Sequence, residues 1–199
     1  MRFVTFIPAV AAALSLAAPM ASAQPRTISN AVRQFVSVDT SLVALTNVRL
    51  VDGTGAPARD GQVIVIEGER IRAVGPAGTT PIPAGARVID LAGHTVIPGI
   101  VGLHDHMYYS SAAGGSMKMM LQSYPKLFLG TGITTIRTAG SVDSYQELNL
   151  RAAIEKGMLA GPELFVTGPY LQGPGQGPGA MHQLNSPDEA RRLVRYWSE

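Results

Sequence analysis

The fold of this 199-residue sequence is best predicted from one stretch, Pro98-Gly99-Ile100-Val101-Gly102-Leu103-His104-Asp105-His106. The almost unbroken apolar run over residues 95–103 is typical of a β-strand buried on both faces. Side chains two residues apart on a strand point to the same side, so His104 and His106 present both imidazoles to one space. Two neutral imidazoles placed in this way can share one divalent ion. The alternative is two ordinary histidines at the end of a strand.

Strands and helices alternate after this stretch. The sequence predicts a helix over residues 117–129, a strand over 132–137, a helix from Ser141 or Asp143 to Lys156, a strand over 162–167 and a helix that starts at Ser186. Repeated βα units indicate a parallel sheet, in a barrel or a doubly wound fold. In a barrel, the histidine pair lies at the carboxyl end of its strand, which is the catalytic end.

The number of βα units is small for a complete barrel. About three units fit into this chain, whereas an eight-stranded barrel needs roughly 250 residues. The chain also ends inside a predicted helix, at Trp197-Ser198-Glu199. We therefore expect a truncated chain that holds the start of an α/β barrel.

Short strands separated by turns precede the histidine pair. They are predicted at residues 42–45, 48–51, 62–66, 71–75 and 87–91, with a hairpin turn at 67–70. This spacing indicates a small β-sandwich-like domain or a partial barrel. The predicted organisation is a signal peptide at 1–23, a mature N-terminal lead at 24–41, a small β domain at 42–94 and the first part of the barrel at 95–199.

The first 23 residues have the features of a cleavable signal peptide. Arg2 is followed by an apolar run over residues 3–18, and Ala21-Ser22-Ala23 supplies small residues before Gln24. A membrane anchor is the alternative, but the run is short and rich in Ala and Pro, so we expect no stable anchor. The chain has no Cys, which excludes a cysteine-linked lipid and any disulfide. The expected location is the periplasm or the exterior of the cell.

Composition narrows the classes of partner. The sequence is 46% hydrophobic with a formal net charge of only +2, which favours an ordered globular protein over a disordered chain. Its Lys and Arg residues are scattered, so nucleic acid is not an expected partner. A homo-oligomer is compatible with the sequence.

Four motifs together resemble a known family. The histidine pair is preceded by Asp90-Leu91-Ala92-Gly93-His94-Thr95-Val96-Ile97-Pro98-Gly99, and the β domain contains Thr46-Asn47-Val48-Arg49-Leu50-Val51-Asp52-Gly53 and Gly68-Glu69-Arg70-Ile71-Arg72-Ala73-Val74-Gly75. Gly132-Ile133-Thr134-Thr135-Ile136-Arg137 follows the pair. In this order the motifs resemble the N-terminal portion of the amidohydrolase superfamily, especially its imidazolonepropionase-like and Xaa-dipeptidase-like members. The resemblance covers about residues 42–199.

The resemblance implies a (β/α)8 barrel beside a small β domain built from both chain ends. It implies one or two divalent ions, usually Zn, that activate water for attack on an amide, peptide or cyclic amide C–N bond. Only His104 and His106 match the family's metal ligands; a carboxylated Lys, two more His and an Asp are expected beyond Glu199. Hydrolysis of a small-molecule or peptide-like substrate is therefore expected in the full-length protein and not in this fragment.

Two positions depart from the family pattern. The family usually has an Asp two residues before the first His, where this chain has Gly102, and an Asp after the Arg of the second strand, where it has Thr138. Carboxylates at such positions can support ligand geometry. Their loss motivates an alternative function, a non-catalytic exported binding protein on a degenerate amidohydrolase scaffold.

Three further residues have candidate roles. His182 follows the third strand at the expected catalytic end and is a candidate substrate-binding residue, or else an ordinary loop histidine. Tyr108 follows the ligand pair and either lines the substrate pocket or packs as an aromatic side chain. Asp105 is expected to point away from both histidines, as a loop or solvent hydrogen-bond partner.

Overall fold

The computed structural model of the chain describes residues 27–110, 117–175 and 182–198, and the predicted signal peptide lies outside these ranges. Its elements are α1 (Asn30–Arg33), β1 (Leu42–Leu50), β2 (Arg59–Glu67), β3 (Arg70–Pro76), β4 (Arg87–Asp90), β5 (Thr95–Val96), β6 (Ile100–Asp105), β7 (Tyr108–Ser110), β8 (Met117–Met119), α2 (Tyr124–Gly130), β9 (Ile133–Thr138), α3 (Ser144–Glu155), β10 (Glu163–Phe165), β11 (Leu171–Gln172), β12 (His182–Gln183) and α4 (Pro187–Ser198). No helix in the described ranges has the length and apolar character needed to cross a membrane.

The N-terminal strands form one five-stranded sheet. Its order is β3-β2-β1-β4, and β5 pairs with a different part of β1. β2 and β3 form the predicted hairpin, in which Glu67 pairs with Arg70 across a two-residue turn. Gly68 begins this turn with a φ of 59°, a left-handed conformation that glycine adopts without steric cost.

Apolar side chains lie on both faces of this sheet. Val63 and Val65 form a buried cluster on one face with Ala44. On the other face, Ile64 packs with Val48 and other residues of β1. The described part of the small domain is thus a single sheet with two apolar faces, and not the two stacked sheets of a sandwich.

The apolar run over residues 95–103, predicted to be one strand buried on both faces, is divided in the structure. Thr95 and Val96 pair with β1 of the first sheet, whereas β6 starts at Ile100 in a second sheet. Pro98 lacks a backbone N–H and restricts the residue before it, so it interrupts strand pairing at this point. One face of this strand is also left uncovered, since Val101 and Leu103 are exposed.

The second sheet has the predicted parallel arrangement. Its order is β10-β9-β6, and both pairings are parallel. The predicted strands over residues 132–137 and 162–167 are confirmed by β9 and β10. The predicted helix that follows β9 is confirmed by α3, whose N-cap Asp143 accepts a hydrogen bond from the Gln146 N–H at 3.1 Å.

One face of the second sheet packs against helices. Its buried core consists of Met107, Ile136, Leu150 and Leu164, with side chains of α2 and α3 around it. The opposite face carries Val101, Leu103 and Phe165, all of them exposed. The sheet therefore has one packed face and one open apolar face.

The predicted helix over residues 117–129 is wrong in its first half. Met117–Met119 forms β8, which pairs antiparallel with β7. The helix α2 begins only at Tyr124, with Pro125 in its first turn. Proline favours the first turn of a helix and disfavours a helical residue before it, so it sets the start of α2.

We expect Ile136→Ala to destabilise the protein much more than Ile71→Ala. Ile136 is fully buried between β9 and the helices, whereas Ile71 is 67% exposed. Truncation in a packed core costs about 2–5 kcal/mol, and an exposed substitution costs about 0.5 kcal/mol or less. Urea unfolding of the full-length variants measures both changes, and equal losses would contradict the core described above.

Candidate metal centre at the end of β6

A β-bulge in β6 determines where the two histidines point. Gly102 pairs with Ile136 and Asp105 pairs with Thr138, so three residue steps along β6 match two along β9. The extra residue lies at positions 103–104. Such a bulge bends the strand and redirects the side chains that follow it.

The bulge moves the histidines to the open face of the sheet. In a regular strand, His104 would share the face of Gly102 and point, like the buried Ile136, towards the helices. Instead, Asp105 takes the position beside the buried Thr138, and His104 is exposed. A Cβ atom at Gly102 would overlap the Asp105 carboxylate, which shows that these two residues share a face.

The geometry of the two imidazoles suits a shared ion. The ring centroids of His104 and His106 lie 5.4 Å apart, and the ring planes are nearly perpendicular, at 87°. With Zn–N bonds of about 2.0 Å, two imidazoles on one tetrahedral ion have centroids roughly 5 Å apart. No group of three or more His, Cys, Asp or Glu residues in the described ranges could hold a metal. The two imidazoles alone supply fewer donors than a tetrahedral metal site needs.

His106 has a hydroxyl partner at one of its ring nitrogens. The Tyr170 hydroxyl lies 3.2 Å from Nδ1 of His106, and the Tyr108 hydroxyl lies 3.0 Å from that of Tyr170. The Tyr108 ring is tilted by 37° against the imidazole, with centroids 4.9 Å apart. Burial raises the pKa of Tyr170, and the neighbouring Tyr108 raises it further, so the phenol keeps its proton.

Hydroxyl and backbone groups tie the strand ends together. The Thr138 Oγ1 accepts a hydrogen bond from the Thr167 N–H at 2.9 Å, and the Gly140 N–H donates to the Thr167 Oγ1 at 2.9 Å. The Tyr170 N–H donates to the Ser141 carbonyl at 3.1 Å. These bonds join the loops after β9 and β10 and bring Tyr170 next to His106.

A buried carboxyl group lies beneath this rim. Glu147 on α3 is fully buried, and neither of its carboxyl oxygens has a well-formed hydrogen bond within the part of the chain that the structure describes. Burial raises the pKa of Glu147 to about 7, and the Ser141 and Thr138 hydroxyls only partly offset this effect. The carboxyl group is thus largely protonated below neutral pH.

His182 lies apart from the histidine pair. It pairs through β12 with Leu171, and its Nε2 is 3.8 Å from an oxygen of Glu189. It lines a cleft of about 840 Å³ beside the aromatic residues Tyr145 and Trp197. Neither His104 nor His106 lines this cleft, and Tyr108 is also not part of it. The structure thus brings Tyr108 to the histidine pair and leaves His182 in a neighbouring cleft.

Solved structures resemble this chain in both fold and sequence. A candidate prolidase from Bifidobacterium longum is 29% identical, with a TM-score of 0.63 over 79% of this chain and 38% of that chain. A Xaa-Pro dipeptidase with methionine in its active site is 27% identical, with a TM-score of 0.64 over 79% and 44%. An amidohydrolase is 25% identical, with a TM-score of 0.60 over the same shares. No family model and no curated protein matches the chain.

These likenesses confirm the predicted resemblance to the N-terminal portion of the amidohydrolase superfamily. The amidohydrolase-like chain spans about two fifths of the length of these three structures.

Sequence reasoning missed two residues of this candidate site. Tyr170 follows β10 at the same sheet edge as the histidines, and its position after a third parallel strand was an available signal. Glu147 lies three residues before Leu150 and seven before Ile154, on the apolar face of α3. A carboxyl group within the apolar stripe of a helix is unusual, and the helical periodicity of the sequence is enough to find it.

We expect Glu147→Gln to change the pH dependence of stability. The ordinary pKa of Glu is 4.5, whereas that of Glu147 in the fold is about 7. Between these values the folded state retains a proton that the unfolded chain releases, so the Glu147 contribution to the free energy of unfolding falls as pH rises. Relative to Glu147→Gln, the wild type should lose roughly 3 kcal/mol from pH 4.5 to pH 8, since each pKa unit corresponds to about 1.4 kcal/mol.

Glu155→Gln is the matched control for this measurement. Glu155 lies on the same helix, is exposed, and faces Arg151 at 3.6 Å. Chemical unfolding at several pH values should give the same pH profile for this variant and the wild type. If Glu147→Gln also follows the wild-type profile, Glu147 does not retain its proton in the fold.

Proposed function

We propose that the complete protein is a metal-dependent hydrolase of C–N bonds and that residues 95–199 form the first part of its (β/α)8 barrel. The observation that carries this proposal is the meeting of the His104 and His106 rings at the carboxyl end of a parallel strand. In parallel barrels this end of the strands carries the catalytic groups. The described residues supply two nitrogen donors, and donors elsewhere in the complete protein would complete the site.

The open face of the second sheet supports the barrel. Val101 and Leu103 on β6 and Phe165 on β10 project from the face opposite the helices. In a closed barrel, apolar side chains of this face fill the interior, and the helices cover the outside. The same face of β6 ends in the two histidines, as the proposed function requires.

Zinc is the proposed metal. Neutral imidazoles are common zinc ligands, and the perpendicular rings of the pair suit a tetrahedral ion. When bound, such an ion supplies a water nucleophile at neutral pH and polarises the scissile carbonyl. The contact with the Tyr170 hydroxyl holds the ring of His106, and so its donor nitrogen, in place. His104 offers a second nitrogen from the exposed side of the strand.

The proposed substrate is a small molecule or a peptide-like amide. This substrate class is inferred from the similar solved structures, among them the Xaa-Pro dipeptidase with bound methionine. Tyr108 and His182 are the proposed substrate-contacting residues. His182 shares its cleft with Tyr145 and Trp197, which offer apolar and hydrogen-bonding surface to such a ligand. The periplasmic or extracellular location proposed for the protein rests on residues 1–23 of the sequence.

A second candidate function is binding without catalysis. It is favoured by the absence of a carboxylate at two positions near the histidines. Gly102 has no side chain, and Thr138 is engaged with Thr167. An exported binding protein on this scaffold would bind the amide and leave it intact. Product analysis with dipeptides, N-acyl amino acids and cyclic amides distinguishes the two functions.

We expect His104→Ala and His106→Ala in the full-length protein to remove bound zinc and to lower hydrolysis at least about a hundredfold, because each removes a direct ligand. His94→Ala is the matched control. His94 is exposed, and its Nδ1 contacts the Ala92 carbonyl at 3.2 Å, before β6 begins. Metal content is measured by elemental analysis, and turnover by release of the free amine.

Unchanged zinc content in both ligand variants would refute the metal site. Loss of zinc without any detectable hydrolysis by the wild type would favour the binding function. The control variant should match the wild type in zinc content, in turnover and in thermal unfolding.

A further inference from the structure

We propose that Tyr170 is a positioning residue that fixes the tautomer of His106 and leaves Nε2 as the atom that binds the metal. This inference rests on the proposed metal site and assigns a role to a residue outside the ligand pair. Tyr170 itself need not touch substrate or metal.

The hydrogen-bond geometry selects one nitrogen of His106. The Tyr170 hydroxyl lies 3.2 Å from Nδ1, so Nε2 is the nitrogen left for a ligand. A neutral imidazole that binds a metal through one nitrogen carries its proton on the other. Nδ1–H then donates to the Tyr170 oxygen, and the Tyr170 O–H donates to Tyr108 at 3.0 Å. This chain of bonds needs no charged group.

The position of Tyr170 does not depend on His106. Its N–H donates to the Ser141 carbonyl and its carbonyl accepts from the His182 N–H, each at 3.1 Å. Its ring packs on Gly140, where any Cβ atom would overlap it. Gly140 also has a φ of 85°, which favours glycine at this position. The hydroxyl is therefore placed by the loops after β9 and β10, before any metal binds.

The arrangement is specific to one of the two imidazoles. His106 is partly buried and has the tyrosine partner, whereas His104 is exposed and has no such partner in the described part of the chain. Groups that orient a ligand histidine typically change metal affinity 10- to 100-fold when they are removed. Loss of the Tyr170 hydroxyl would also leave the Tyr108 hydroxyl without this partner.

The direct test is Tyr170→Phe in the full-length protein, with zinc affinity measured by competition with a chromophoric chelator. We expect the Kd for zinc to rise about 10- to 100-fold. Tyr124→Phe is the matched control, because it removes the same atom from a tyrosine that packs against Phe128 in the core near β9. Its zinc Kd should stay within about twofold of the wild type, and thermal unfolding of the metal-free proteins reports any general loss of stability.

A second measurement does not depend on the folding of the variant. Nitrogen-15 NMR of histidine-labelled, zinc-loaded wild type should show zinc on Nε2 of His106 and a proton on Nδ1 that exchanges slowly with water. In Tyr170→Phe this proton should exchange faster. Zinc on Nδ1 in the wild type would overturn the proposal, as would a Tyr170→Phe variant with an unchanged Kd.

The His106→Ala variant separates this inference from the proposed function. If His106→Ala binds zinc as well as the wild type, the metal site itself is wrong. If His106→Ala loses zinc while Tyr170→Phe keeps the wild-type Kd, the metal site stands and only the positioning role fails.

Discussion

The register of β6 against β9 is the constraint on which the candidate site depends. A one-residue shift in a strand moves every following side chain to the other face. Here the extra residue at positions 103–104 turns His104 and His106 away from the helices and towards the open face. It also brings the Asp105 carboxylate over Gly102, where a larger residue has no room. The bulge therefore requires a glycine at position 102.

Hydroxyl groups dominate the rim around the histidines. Thr138, at a position where amidohydrolases usually carry Asp, joins β9 to β10 through Thr167. The only carboxyl group buried beneath this rim in the described ranges is Glu147, and burial raises its pKa to about 7. The group that contacts Nδ1 of His106 is the phenol of Tyr170 and not a carboxylate. Phenol–imidazole bonds are weaker than charge-assisted ones, so here the fixed loop that carries Tyr170 matters more.

Local patterns predicted much of this fold. The β2–β3 hairpin, the strands β9 and β10, and the capped helix α3 follow from turn residues, β-branched runs and an N-cap. The errors arose where a local pattern allowed two structures. The apolar run over residues 95–103 reads as one strand, yet its first two residues pair with β1 and the rest with β9. Residues 117–129 have helical length, but their first part pairs with β7.

The site was predictable only in part, for a physical reason. A His-x-His spacing shows that two rings share a side, but a bulge is set by the partner strand and leaves no mark in the spacing. The contact of Tyr170 with His106 joins residues 64 positions apart, through loops that meet only in the folded sheet. Periodicity is a local property and does not report such a contact.

The described strands also restrict where further metal donors can come from. β9 ends in Thr138, whose hydroxyl accepts from the Thr167 N–H, and β10 is followed by Thr167, whose hydroxyl accepts from the Gly140 N–H. These groups are engaged in joining the two loops. A donor from either strand end would have to break this link, which holds Tyr170 beside His106. The proposed site is therefore best completed by groups outside residues 133–167, with β9 and β10 serving to position the one imidazole that the loops support.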